Sequence, residues 1–300
     1  MKTEITTFIA CLGLLVGSGN SLAAREIIAP DGTYLYARRD TCDLYMDVYD
    51  PAEGSDTKFG TKDKPAIIFI FGGGFASGSR NDEFYQGWFK AMTGLGFRII
   101  SIDYRLGLKG AEKVGVGQAR ELHHAILLAV EDLFSATAFM IDNAEQLGID
   151  TGNIVISGSS AGAITAMQAE YELCNGTPVS EVLPEDFRYA GVMSFAGAIF
   201  SDRGKLRYKK SPAPALMLHG TSDKTVTYKQ IRFFNLGFFG SGAITKEFKK
   251  NGYPYHLYHY AGKDHEVAGY MENTTDLQCR FLEKCSSDEA FKSEETAIKE

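Results

Sequence analysis

The sequence has little of what would tie it to a metal, a nucleic acid or a membrane. Its 300 residues include 5 cysteines and 6 histidines. They form no C-x-x-C pair and no cysteine–histidine cluster, so neither a structural zinc nor any other cofactor is expected. Positive charge is in deficit: 31 Lys and Arg against 38 Asp and Glu give a net charge of −7. Such a chain repels polyanions, and nucleic acid is not an expected partner. Beyond the N-terminus no uninterrupted apolar run reaches about eighteen residues, so no transmembrane segment is expected. Internal repeats, low-complexity linkers and composition breaks are also missing, which leaves one domain. What is present is ordinary: 44% hydrophobic residues, 23% charged, 32 Gly and 8 Pro describe a globular chain with apolar surface for a large core. The sequence carries no signal for an oligomeric state.

The N-terminus reads as a targeting segment rather than as fold. Lys2, the apolar stretch Ile5 to Val16 and the small residues at Ser21-Leu22-Ala23-Ala24 form a signal peptide over residues 1–24. The expected mature chain begins near Arg25 and is exported, to a periplasm or the extracellular space. Cleavage would remove Cys11 and leave Cys42, Cys174, Cys279 and Cys285, an even number with three conceivable pairings. A chain of this size does not need disulfide staples, so one bridge or none is expected. Residues 286–300 are charged and read as a frayed tail, leaving 25–285 as the folded domain.

Between these ends, strand and helix signals alternate. Asp43 to Asp50 alternates apolar and polar residues. Pro65 to Phe71, Phe97 to Ile102, Asn153 to Ile156, Gly191 to Phe195 and Ala213 to Leu218 are short apolar runs bounded by turn residues. Strands buried on both faces of a parallel sheet have this pattern. Leu122, Ile126, Ala129, Leu133, Ala136 and Met140 recur at helical spacing, with Gly148 placed to end the helix. Further helices are expected over Ala161 to Leu173 and Asp276 to Lys284, with a last strand over Tyr253 to Tyr260. The order implies an α/β fold with a mostly parallel sheet and helices on both faces. Chemistry in such sheets collects at the carboxyl ends of the strands.

Three segments at strand ends carry that chemistry. Gly158-Ser159-Ser160-Ala161-Gly162 is G-x-S-x-G between a strand and a helix, where a sharp turn presents a nucleophilic serine. A serine needs a base, and the base an orienting carboxylate. His123 and His124 lie in the long helix, His256 and His259 in the last strand, and His219 ends the strand before it. His265, in the loop Ala261 to Glu266 after the last strand, is free to reach over the sheet edge. Asp223, just beyond the strand ending at His219, has the same logic. Asp264 is the rival carboxylate but is poorly aimed at its own neighbour. The third segment, Phe71-Gly72-Gly73-Gly74-Phe75, offers unobstructed backbone N–H groups as an oxyanion hole requires. The N–H of Ala161 is the other donor. No G-K-[ST] follows the glycines, so a phosphate loop is excluded.

With these residues in view, the chain resembles the α/β-hydrolase esterases, particularly carboxylesterases with an H-G-G-G oxyanion loop and the bacterial feruloyl-esterase-like group. Leu44 to Pro51 matches their LDVYxP strand and Asp103 to Leu106 their DYRL. Leu147 to Asp150, Gly158 to Gly162, His219 to Asp223 and Asp264-His265 match the segments around nucleophile, acid and base. The resemblance implies Ser160 as nucleophile, Asp223 as acid, His265 as base, and Gly73, Gly74 and Ala161 as oxyanion donors. Phe71 departs from it by replacing the histidine of H-G-G-G, and Ala163 by replacing a second glycine. Only about 15 residues follow Ile199 before the next strand, too few for a helical lid, so an open site is expected. The run Arg203 to Lys210 in that connection is read as a solvated loop or as a basic lip for an acidic substrate.

The function expected from this reading is secreted serine carboxylic-ester hydrolysis through an acyl-enzyme. The substrates are short-acyl or aryl esters, small molecules or carbohydrate-linked. A serine peptidase or amidase on the same fold is the alternative within catalysis. A non-catalytic binding protein is the alternative outside it, disfavoured because the serine, aspartate and histidine segments are all intact.

Overall fold

A computed structural model of the chain describes residues 27–55, 65–111, 119–287 and 290–299. Residues 1–24, with Cys11, lie outside the described residues. Two antiparallel strands open the fold: β1 (Gly32–Arg38) pairs with β2 (Asp43–Tyr49). The apolar runs then become β3 (Ala66–Ile70), β4 (Arg98–Ile102), β5 (Ile154–Ser159), β6 (Gly191–Phe195), β8 (Ala215–Gly220) and β11 (Tyr255–Tyr260), with β7 (Ala198–Ser201) between β6 and β8. Together with a last strand, β12 (Glu294–Ile298), they form a nine-stranded sheet in the order β1-β2-β4-β3-β5-β6-β8-β11-β12. From β4 to β12 every neighbour runs parallel. Every residue of β3, β5, β6 and β8 is buried, because helices cover both faces and leave no polar side to alternate with.

The helices are α1 (Glu83–Gly94), α2 (Ala119–Asp142), α3 (Ala144–Leu147), α4 (Ala161–Asn175), α5 (Ser241–Asn251) and α6 (Thr275–Cys285). The expected long helix ends earlier than its periodicity suggests. It stops at Asp142, Asn143 breaks it, and Gly148, at φ +60, caps the short α3 instead. By length and apolarity α2 would pass for a membrane-crossing helix, although no continuous apolar run reveals it. Here it packs in the core, burying Ile126, Val130, Leu133 and Phe134. Cys42, Cys174, Cys279 and Cys285 are all free thiols.

Two features depart from the sequence reading. A separate antiparallel sheet, in the order β7-β10-β9, combines β7 with the hairpin β9 (Gln230–Phe233) and β10 (Leu236–Gly240). Its strands are four or five residues long and carry no long apolar run, so nothing in the pattern announces them. The tail is also not frayed. Its residues 294–298 pair in parallel with His256 to Tyr260, Phe291 packs on His256 at 4.9 Å between ring centroids, and Tyr258 donates to the Glu294 carboxylate. The charges that suggested fraying sit on an edge strand, where polar residues protect against further pairing.

Deleting residues 288–300 is therefore expected to destabilise the domain, not leave it unchanged. Several ladder hydrogen bonds at about 0.5–1.5 kcal/mol net each predict a loss of roughly 2 kcal/mol or more in denaturant unfolding. Sedimentation should also show self-association through the uncovered β11 edge.

Candidate active site

The site is built where β5 turns into α4. Ser160 sits at φ 52, ψ −115, a backbone region that non-glycine residues avoid. Two close approaches hold it there. A Cβ on Gly162 would stand 1.9 Å from the Ile70 carbonyl oxygen, and one on Gly158 would stand 2.3 Å from the Gly162 carbonyl. Only glycine lets α4 press this tightly on β3 and β5. The Ser160 N–H donates to the Phe195 carbonyl at 2.9 Å, and the Ser159 hydroxyl donates to the Ala268 carbonyl at 2.9 Å. The second bond ties the turn to the 3-10 segment His265–Gly269.

That segment brings His265 over the serine. Its Nε2 lies 2.8 Å from Ser160 Oγ, and its Nδ1 lies 2.8 Å from Asp223 Oδ2. Asp223 Oδ1 accepts the N–H groups of Thr225 and Val226, each at 2.8 Å. Asp223 is therefore fixed at both oxygens. Asp264 is engaged elsewhere: its Oδ1 accepts the N–H of Lys224 at 2.8 Å and of His265 at 2.9 Å, which fastens the loop.

His219 is the residue that sequence reasoning undervalued. It is fully buried, and its Nε2 lies 2.8 Å from the Val226 carbonyl and 3.3 Å from Asp223 Oδ2. A carbonyl only accepts, so Nε2 carries the proton, which is shared between Val226 and the carboxylate. Nδ1 meets the Ser241 hydroxyl at 2.8 Å. Burial by itself would raise the Asp223 carboxyl, but hydrogen bonds from His219 and His265 outweigh it and hold the group well below its ordinary value of 3.8. The four-residue step from His219 to Asp223 was the signal for this contact. The remaining histidines stand apart: His123 stacks on Phe200 at 4.5 Å, His256 Nε2 lies 3.2 Å from the Lys292 carbonyl, and His259 Nδ1 lies 3.1 Å from the Tyr228 hydroxyl. His124 stays on α2.

The glycine loop abuts the serine. A Cβ on Gly72 would come within 3.4 Å of Ser160 Cβ, and Gly73 and Gly74 have φ of 110 and 63. Among the described residues, the N–H groups of Gly73, Gly74 and Ala161 donate to no carbonyl or side chain, which leaves them for a ligand. Aromatic groups hold the loop where the resemblance would place a histidine. The Phe71 ring, 2% exposed, stacks on Tyr104 with centroids 4.4 Å apart. The Tyr104 hydroxyl donates to the Phe71 carbonyl at 3.1 Å, and the Tyr85 hydroxyl accepts the Gly72 N–H at 2.9 Å. Burial pushes both phenols up, so both remain neutral. Among the described residues no cluster of His, Cys, Asp and Glu could hold a metal.

Lys205, from the basic run, lines a groove between the β9–β10 hairpin and α5 rather than the serine's surroundings. Between β7 and β8 the described chain holds only turns and coil, so no helical cap covers the serine from that connection.

The arrangement matches solved structures across most of its length. Esterase 2 of Thermogutta terrifontis, in its butyrate-bound form, superposes with a TM-score of 0.61 at 23% identity, covering 86% of this chain and 96% of that one. The chain has the α/β-hydrolase fold. The family described as BD-FAE matches residues 46–175, from β2 through the end of α4. Esterase LipC of Mycobacterium tuberculosis is 26% identical over 239 residues, 67% of this chain and 54% of that protein. The probable N-octanoylanthranilate hydrolase AqdA2 of Rhodococcus erythropolis is 32% identical over 102 residues, 33% of this chain and 20% of that protein. The chain spans about a fifth of the length of the first such relatives.

The packing around Phe71 yields a direct expectation. Phe71→Ala removes a fully buried ring and should lower unfolding stability by about 3–5 kcal/mol. The glycine loop loses its clamp with it. An unchanged unfolding midpoint would show that residue 71 does not hold the loop.

Proposed function

We propose that the protein is an exported serine carboxylic-ester hydrolase. The observation that carries this reading is the continuous contact Ser160 Oγ–His265 Nε2 and His265 Nδ1–Asp223 Oδ2, each at 2.8 Å. His265 takes the proton of Ser160 as Oγ attacks the ester carbonyl carbon. The carbonyl oxygen becomes an oxyanion facing the free N–H groups of Gly73, Gly74 and Ala161. Collapse of the tetrahedral intermediate breaks the ester C–O bond, and His265 returns the proton to the leaving alcohol. Water, deprotonated by the same imidazole, opens the acyl-serine, releases the acid and restores Ser160. Asp223 stays ionised throughout, orienting His265 and stabilising the imidazolium.

The substrate class is short-acyl or aryl esters, free or carbohydrate-linked. Two observations support it: the lack of a helical cap between β7 and β8, and the propionate- and butyrate-bound forms of the Thermogutta esterase. Export rests on the signal-peptide reading of residues 1–24. Amide hydrolysis is the second reading, favoured by the name of one relative as a hydrolase of an N-octanoyl anthranilate.

Ser160→Ala and His265→Ala should each lower kcat on p-nitrophenyl butyrate by about 10⁴- to 10⁶-fold, and Asp223→Asn by about 10⁴-fold. Asp264→Asn should have a much smaller effect. Near-normal turnover by Ser160→Ala would overturn the proposal. A larger loss in Asp264→Asn than in Asp223→Asn would move the acid's role.

Across an acyl series, acetyl to butyryl esters should be the best substrates, with no jump in rate at the micellar threshold. A preference for twelve-carbon or longer chains would refute the open site. Faster cleavage of the matched anilide would favour the amidase reading.

A further inference from the structure

Among the described residues, the β7-β10-β9 sheet leaves β9 with an open edge. All four of its residues are exposed, and its backbone hydrogen bonding can be followed from the register. The Gly240 N–H donates to the Lys229 carbonyl at 2.8 Å, and Ile231 faces Phe238 and Phe233 faces Leu236 across the ladder. Antiparallel pairs alternate between bonded and non-bonded, so Ile231 and Phe233 turn their backbone groups inward to β10. Gln230 and Arg232 turn theirs outward. Two N–H and two C=O groups thus stand along a free edge.

Soluble sheets commonly blunt such edges with charge, proline or a bulge. This one displays Ile231, Phe233 and Phe234 at 39%, 55% and 85% exposure. Phe234 also holds φ +51 in the hairpin turn, a conformation that glycine or asparagine takes more readily. The two faces of the edge differ in character. Ile231 and Phe233 share the face of Phe238, whereas Gln230 and Arg232 share the face of Phe239. The second face borders a groove of about 750 Å³ lined by six basic residues, among them Lys205, Arg232, Lys246 and Lys249, against two acidic ones, Glu247 and Glu295. In a chain of net charge −7 this is a local reversal of sign. Lys246, Lys249 and Lys250 lie three and four residues apart on one stripe of α5.

We propose that the β9 edge is a docking strip for an extended peptide segment that alternates acidic and apolar side chains. The segment adds as a fourth strand on the outward groups of Gln230 and Arg232. Its acidic side chains point to the basic groove, and its apolar ones cover Ile231 and Phe233. Period-two alternation on the guest is required because the two faces of the host differ. The charge also argues against a second copy of this chain. Edge-to-edge pairing of two β9 strands would set Arg232 and the groove lysines against their own equivalents, and like charges placed opposite destabilise a sheet. The proposal is independent of the bond that Ser160 opens.

The test is fluorescence anisotropy of the full chain with a labelled eight-residue peptide alternating Glu and Val. A block peptide of the same composition, four Glu then four Val, serves as the comparison. The alternating peptide should bind saturably, more tightly than the block peptide, and more weakly as salt is raised. Gln230→Pro removes one outward N–H without altering charge or the β10 ladder, and should weaken binding about 2- to 10-fold. Arg232→Glu should weaken it further, with both variants keeping the wild-type unfolding midpoint. Leu236→Ala, away from the free edge, should bind as wild type. Equal binding of the two peptides would reduce the site to a charge effect and overturn strand addition. So would full affinity in a folded Gln230→Pro variant, or no saturable binding at all. Dimerisation of the wild-type chain that Gln230→Pro abolishes and the peptide does not compete would assign the edge to a second copy, and the proposal would fail.

Discussion

The close approach of α4 to the β3–β5 strand pair fixes most of what the site can do. Gly158 and Gly162 leave no room for a Cβ between helix and sheet. Because the helix sits so low, the connecting residue must turn sharply, and Ser160 is forced to positive φ. Its hydroxyl then stands above the strand ends, and its neighbour Ala161 begins a helix whose first N–H groups have no intrahelical partner. An upstanding serine hydroxyl and an unpartnered N–H beside it thus arise from one packing constraint. α4 is buried along its whole length, so the surrounding core over-determines the turn and maintains its strain.

The Asp223 end of the site is built on a different principle. Asp223 is a buried carboxylate, and burial disfavours its charge. Four groups compensate: the N–H groups of Thr225 and Val226 on one oxygen, and His265 and His219 on the other. Ser241, the first residue of α5, in turn meets His219. The orientation of His265 therefore depends on a chain of contacts reaching from the loop after β8 to the helix before β11.

Much of this was legible in the sequence, for identifiable reasons. Buried parallel strands must be apolar on both faces, so β3, β4, β5, β6 and β8 appear as runs such as Ala66 to Ile70. The elbow was legible because its glycines have no substitute. The order Ser160, Asp223, His265 followed from strand ends, since topology decides which loops meet. What escaped notice depends on tertiary contact. β9 and β10 are short, and their pairing with β7 is set by the path of the chain rather than by local pattern. β12 reads as a charged tail because an edge strand is polar where it meets water. His219 resembled a strand-terminal residue until the fold placed its Nε2 beside the carboxylate.

The grip on the glycine loop has a consequence for how the site responds to its surroundings. An imidazole at residue 71 would change charge within the physiological range, and the loop's position would follow the acidity of the medium. Here the grip consists of a phenyl ring stacked on Tyr104 and two phenols that burial keeps neutral. Such a clamp does not respond to protons across that range. Its stacked rings are apolar, and that part of the clamp weakens on cooling with hydrophobic association. The hold on the glycine loop is thus coupled to temperature through its stacked rings rather than to acidity.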